Sequence, residues 1–395
     1  MNEYFILFLV VVLALAAVLR EDFVFTLFYF VIGAYAFSRW WSNKALSDIT
    51  VERVFNNRAF LNDKVTIRLE LHNTSRLPVV WVRLHDSVPV EIASAEILRR
   101  VVSIGSRSKR SFEYVLQPGR RGYYQIGPVF LYSGDVLGLS AESARQGALD
   151  HLTVYPRIIP LSRMDLPSRS PMGTLRHHQP IFEDPTRVRG KRDYVAGDSL
   201  RRVDWKSTAI LGRLQVKLLE PSIALETVIF LNLHGEDYYY RGRIDATELG
   251  IIVAASIANW VTGKKQTVGF STNGMDSLSA DGRAPVLSTE KGRGHLMRIL
   301  DVLARIQLHE TASFTQLLQR QRVHMAWGTT VALITGNADN ALFDEMFQMR
   351  RAGLNVVLIL CGHVIEAKDI KHRAQHFGIP VYQFMTEQDL DIWRR

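Results

Sequence analysis

Two apolar runs at the start of the chain constrain its fold most. Tyr4 to Leu19 reads YFILFLVVVLALAAVL without interruption. After Arg20, Glu21 and Asp22, the sequence from Phe23 to Phe37 is apolar again and closes on Trp40–Trp41. A helical span needs about 20 residues, so each run is slightly short and would be completed by snorkelling flanks and the interfacial tryptophans. A three-residue polar tip brings the two helices side by side. The expectation is a transmembrane helical hairpin over residues 1–44, meeting the bilayer through residues 4–41. A cleaved signal peptide fits less well, because Met1-Asn2-Glu3 lacks a positive n-region and a second apolar run follows at once. Arg20 stands alone at the tip, whereas Arg39, Lys44, Arg53 and Arg58 follow the exit. Basic flanks favour the cytoplasmic side, so both termini are expected there. Cys361 is the one cysteine, which excludes an internal disulfide and agrees with a reducing compartment.

Residues 45–158 read as an all-β sandwich. VTIRLELHN (Val65 to Asn73), WVRLHD (Trp81 to Asp86) and SFEYVLQ (Ser111 to Gln117) alternate with period two. Pro78, Pro89, Pro118-Gly119 and Gly127-Pro128 mark turns between them. No nucleophile elbow, phosphate loop or metal-ligand spacing occurs there. Residues 159–225 form a linker and a charged segment. His177–His178 lie in that linker and read as solvated, with no further ligand spaced for zinc.

From residue 226 to 395 the pattern becomes α/β. VIFLNL (Val228 to Leu233), TVGFST (Thr267 to Thr272), TVALITG (Thr330 to Gly336) and NVVLILCG (Asn355 to Gly362) are apolar runs suited to strands buried on both faces. They alternate with helical periodicity, as in HLMRILDVLARI (His295 to Ile306), which predicts a parallel, Rossmann-like sheet. A metal-binding von Willebrand factor A domain would carry Asp-x-Ser-x-Ser after its first strand. Here Asn232, His234 and Glu236 stand in those places. The residues are read as a degenerate site without metal, since a hard cation wants several convergent oxygens. No GxGxxG or Walker A pattern occurs, so no nucleotide or other cofactor is expected.

The most specific stretch is GKRDYVAGDSLRRVDWKSTAILGRLQVKLLEP, from Gly190 to Pro221. Arg192, Tyr194, Gly197, Asp198, Arg201, Asp204, Trp205, Lys206, Lys217 and Glu220 make up its signature, with Gly212-Arg213-Leu214 between. This closely resembles the signature of the DUF58 family. Upstream, Arg120-Arg121-Gly122 with Tyr124, then Gly134-Asp135 with Gly138-Leu139, and Val154-Tyr155-Pro156-Arg157 resemble the same family. The resemblance implies a multi-domain chain on the bacterial inner membrane: an N-terminal hairpin, a β-sandwich and a von Willebrand A-like domain. It also implies partnership with a MoxR-type AAA+ ATPase in assembling or activating other complexes, and no established catalytic chemistry.

Three readings of the signature compete. In the first, Trp205 is buried in a charge-neutralised seam that locks two soluble modules, with Asp198 and Arg201 paired across a helical turn. In the second, basic surplus binds an acidic partner or anionic lipid headgroups. From Arg187 to Lys217 there are nine basic and three acidic residues, and the chain carries a net charge of +9. Nucleic acid is not expected, for want of zinc-finger spacing or an RNA-recognition sequence. In the third, Asp198 and Asp204 serve a membrane-associated hydrolase or transferase. The first reading leads, and with it a non-enzymatic scaffold.

Overall fold

The computed structural model describes residues 3–19, 22–92, 99–134, 143–147, 149–162, 164, 183–195, 198–221, 226–310 and 312–394. Gly197, Asp135, Gly138, Leu139, His177 and His178 lie outside them, as do the side chains of Arg201 and Glu220. The chain divides into two compact units, residues 1–157 with Leu300–Arg305, and Ile158–Ile299 with Ile306–Arg395.

The first unit opens with helices α1 (Glu3–Leu19) and α2 (Asp22–Ser47), which pack against one another. The stretch Asp22–Lys44 is long and apolar enough to cross a membrane, by length and composition. The helix continues beyond the apolar run because its last turns have partners in the β-rich part. Trp41 Nε1 donates to the Pro78 carbonyl (3.0 Å), Ser42 Oγ to the Gly134 carbonyl (2.9 Å), and Leu46 is buried.

Ten strands follow: β1 (Ile49–Val54), β2 (Arg58–Phe60), β3 (Val65–Asn73), β4 (Val79–Asp86), β5 (Arg99–Ile104), β6 (Lys109–Leu116), β7 (Gly122–Ile126), β8 (Val129–Ser133), β9 (Ser143–Gln146) and β10 (Asp150–Tyr155). They form three sheets ordered β1-β3-β6, β2-β10-β7 and β5-β4-β8-β9. The alternation read from VTIRLELHN turns Ile67, Leu69 and Leu71 inward, where they are fully buried. Residues from all three sheets join one apolar core.

One charge cluster sits inside that core. Arg53 lies on the inward side of β1 with Ile49 and Val51, and its side chain has no exposed surface. Its Nη2 meets Asp86 Oδ1 at 2.6 Å, and its Nη1 bonds Asp150 and lies 3.4 Å from the Ile126 carbonyl. Tyr114 donates to Asp86 Oδ2 at 2.5 Å. A single guanidinium therefore ties β1, β4, β7 and β10, with Tyr114 of β6 on the same carboxylate, so that all three sheets are pinned. Burial works against the Arg53 charge, but the Coulombic pull and hydrogen bonds of Asp86 outweigh it and raise the Arg53 pKa. Burial, then Asp86, pushes the Tyr114 hydroxyl up. Arg53, read above only as a basic flank of the apolar hairpin, belongs to this core.

The second unit begins with a two-stranded arm, β11 (Glu183–Asp193) and β12 (Gln215–Pro221), enclosing a short helix α3 (Trp205–Leu211). A mixed sheet follows, with β13 (Glu226–Leu231), α4 (Arg243–Gly263), β14 (Thr267–Thr272), the pair β15 (Met275–Asp276) and β17 (Ile306–Gln307) flanking β16 (Leu287–Glu290) and α5 (Arg293–Arg305), then α6 (Phe314–Arg322), β18 (Thr330–Thr335), α7 (Asn340–Arg351), β19 (Asn355–Cys361), α8 (Ala367–His376) and β20 (Val381–Phe384). Sheet order is β16-β14-β13-β18-β19-β20. All neighbours are parallel except β16, which runs antiparallel at the edge. The apolar runs behave as read: β18 is buried throughout and β19 in all but its first residue. Helix α4 is also apolar enough to cross a membrane, but most of it is buried in this unit, so it is a core helix. The edge strand β16 escapes sequence reading because LSTE is short and half exposed.

Candidate functional site

The signature closes on itself as one arm. Strands β11 and β12 pair antiparallel in the register Lys191↔Lys217, Arg192↔Val216 and Asp193↔Gln215. Val203 bridges to Val216, and these two with Gln215 and Ser207 form a small buried centre. Asp204 caps α3: its carboxylate accepts from the Ser207 N–H at 3.2 Å and meets Lys191 Nζ at 2.7 Å. An N-cap carboxylate satisfies a donor that the first helical turn leaves open. At the other end Gly212 takes φ +66°, and its N–H donates to the Thr208 carbonyl at 3.0 Å. This left-handed cap favours glycine.

Arg192 grips Asp198 with both terminal nitrogens, at 2.6 and 2.7 Å, and the Val195 N–H donates to the same carboxylate at 3.0 Å. Arg213 reaches Asp193 at 3.1 Å, and Gln215 Nε2 bonds Asp193 as well. Asp198 thus pairs with Arg192; the expected pair with Arg201 lies outside the described side chains. The hydrogen bond from Lys191, then that from the Ser207 N–H, holds the Asp204 carboxyl down to about 2. Arg192 likewise holds Asp198 below the usual carboxylate range. Paired carboxylates do acid–base chemistry when their environments split their pKa values. Here both are pushed the same way.

Trp205 corrects the expectation of a buried seam. It is 67% exposed. It occupies the first helical position after the Asp204 cap and points away from Ser207, the residue through which α3 is anchored. The ion pairs described also join parts of one arm, residues 191–213, rather than two modules. Tyr194 and Lys217 are half-buried, Lys206 is exposed, and Glu220 lies in β12 opposite Asp184.

A second place of interest lies at the carboxyl ends of the parallel strands. Strand order reverses between β13 and β18, the position where open α/β sheets hold ligands. A cleft of about 190 Å³ opens there, lined by Asn232, His234, Asp237, Ser313, Asn337 and Asp339 among others. Asn232 is its hub. Its amide nitrogen donates to Asp237 Oδ2 (2.7 Å) and Thr335 Oγ1 (3.0 Å). Its amide oxygen accepts from the His234 N–H (3.0 Å) and from Asn273 Nδ2 (2.9 Å). An ionised aspartate could not make the two donations, so the asparagine knits the strand ends together through hydrogen bonds. His234 Nε2 lies 2.8 Å from the Glu310 carbonyl. Glu236 does not join this cleft; it lines a neighbouring one of about 330 Å³ with Tyr239, Tyr240 and His363. Among the described residues, no group of three or more His, Cys, Asp or Glu side chains is placed to hold a metal ion. Asn273 and Thr335 were not singled out from sequence. Their signal is position at strand ends: Asn273 follows β14 and Thr335 closes β18.

Residues 190–357 match the family described as "Protein of unknown function DUF58". The match begins at the arm and runs through the first strands and helices of the mixed sheet. The uncharacterized protein YeaD of Bacillus subtilis is 24% identical over 247 residues, covering 61% of this chain. The chain spans 58% of that relative's length. Solved structures overlap only in part. The CARDB domain of the PF1109 protein from Pyrococcus furiosus, in complex with di-metal ions, covers 27% of this chain and 92% of its own, at 16% identity and a TM-score of 0.22. Proximal thread matrix protein 1 of the mussel byssus covers 43% of this chain and 46% of its own, at 10% identity and a TM-score of 0.31. Overlaps this slight carry no argument about fold or function.

Proposed function

We propose, from the match of residues 190–357 to the DUF58 family, that the chain is a membrane-anchored scaffold or adaptor without catalytic chemistry of its own. In this reading α1 and α2 span the bacterial inner membrane as a hairpin with both termini in the cytoplasm. The β-rich unit is a sandwich, and the mixed sheet is a von Willebrand A-like domain. Its strand order, with one antiparallel edge strand, supports that last assignment. The partner is a MoxR-type AAA+ ATPase, as the family resemblance implies, and the polar clefts at the strand ends offer a place for a protein ligand.

One observation carries the non-enzymatic reading. Each described acidic side chain of the signature is already engaged: Asp193 by Arg213 and Gln215, Asp198 by Arg192, Asp204 by Lys191 and the start of α3. These acids are spent on holding the arm's shape. A hydrolase or transferase centred on Asp198 and Asp204 would need at least one of them ready to exchange a proton near neutrality. The test is affinity capture of the full chain from gently solubilised membranes. Recovery of an AAA+ ATPase is the expected result. Recovery of none, with the purified chain turning over a substrate and losing that activity in Asp204→Asn, would overturn the reading.

A further inference from the structure

We propose that the outer face of α3 docks on an anionic bilayer surface, so that the signature arm is a second, peripheral membrane contact. This rests on the reading of α1 and α2 as a membrane anchor.

The arm exposes more apolar surface than its own folding explains. Ile210 is 75% and Leu200 62% exposed, in addition to the outward Trp205, and Leu211 is more than half exposed. Helical spacing sets Trp205 with Ala209 on the side of α3 opposite buried Ser207, and Lys206 with Ile210 on the adjoining flank. The arm's centre is closed by Val203, Val216, Gln215 and Ser207, so none of these outward side chains is needed to seal it. Concentrated apolar exposure of this kind marks a contact surface.

The charge of the arm identifies the occupant. From Gly190 to Pro221 there are seven basic residues (Lys191, Arg192, Arg201, Arg202, Lys206, Arg213, Lys217) and four acidic ones (Asp193, Asp198, Asp204, Glu220), a surplus of three. Three of the four acids are neutralised inside the arm. Lys206 remains exposed between Trp205 and Ile210. A tryptophan ring at headgroup level, aliphatic side chains beneath it and a lysine able to extend toward phosphate is the chemistry of a bilayer interface. An anionic leaflet attracts such a face. A chain held at the same membrane by its own helices gains effective concentration there, so a small patch is enough.

The experiment uses the full chain in lipid nanodiscs, carrying an environment-sensitive fluorophore on Ile210→Cys. Cys361 is buried and can stay. Val323→Cys, a similarly exposed apolar position on another element, is the control. Discs are made of phosphatidylcholine alone or with phosphatidylglycerol. In anionic discs the label at 210 should shift to the blue and be quenched by a lipid-borne quencher at least about twofold more than in neutral discs, while the label at 323 stays aqueous. An aqueous label at 210 in both discs overturns the proposal and leaves the anchor standing. A label at 210 already shielded in detergent, without lipid, also overturns it, because protein then covers the face. Failure of the chain to enter discs at all sinks the anchor reading and this proposal with it.

Discussion

Two clusters of opposite charge do different work in this molecule. In the β-rich unit Arg53, Asp86 and Tyr114 sit inside the core, with no exposed surface on the Arg53 and Asp86 side chains, and partly exposed Asp150 joins them from the rim. In the signature arm Lys191–Asp204, Arg192–Asp198 and Arg213–Asp193 lie at the surface. The contact distances are alike. The surroundings are not, and the surroundings decide the consequence. A buried ion pair is costly to assemble and more costly to break by halves. A surface pair is screened by water and salt and contributes little to global stability. The buried cluster therefore commits three sheets to one arrangement, while the surface pairs set the local shape of an arm.

The largest expected effect comes from halving the buried cluster. Arg53→Met leaves Asp86 inside the core without its cation, and should cost about 3–5 kcal/mol, read as a lower unfolding midpoint and as faster hydrogen exchange in β3 and β6. The double variant Arg53→Met/Asp86→Leu should regain much of that loss, because it removes both charges together. An unchanged midpoint in Arg53→Met would erase the contrast between the two clusters.

Acid should act on the arm and sharpen the contrast. The Asp204 carboxyl is held down to about 2, below its ordinary value of 3.8. A depressed carboxyl contributes stability above its unfolded pKa, and that contribution is lost as pH falls through the folded value. The Lys191–Asp204 pair and the cap on α3 should thus be intact above about pH 4 and released toward about pH 2. Pepsin works in this window. Its cuts between Trp205 and Leu214 should rise, relative to cuts in a reference peptide in the same tube, as pH drops. Cuts that keep a constant ratio would mean the arm does not depend on Asp204.

What sequence reading reached and missed follows from the range of the forces involved. Alternation in VTIRLELHN and the apolar run NVVLILCG gave β3 and β19 because a strand's pattern is local to it. Arg53 was out of reach. Its partners Asp86 and Asp150 stand 33 and 97 residues away, and a lone arginine in ITVERV reads as a solvated or membrane-flanking charge. The cleft was half legible. Asn232 and His234 were found by their place after a strand, but the hydrogen bonds that make Asn232 a hub come from Asn273, just after β14, and Thr335, at the end of β18. Trp205 was misread for a different reason. Large aromatics are buried by default, and that prior fails where smaller residues have already closed the local centre.

The smallest predicted effect tests that explanation directly. Trp205→Ala should move the unfolding midpoint by no more than a surface change does, within about 0.5 kcal/mol. Truncating a buried tryptophan costs about 3–5 kcal/mol instead. The expectation depends on two features together: α3 is capped by Asp204 and Gly212, and it is anchored through Ser207. Neither involves the indole. A Trp205→Ala chain that unfolds like the parent but no longer responds to anionic lipid would locate the residue's work at a surface. A chain that loses several kcal/mol would mean that something in the folded protein covers the ring, and the arm would then stabilise the fold much as the Arg53 cluster does.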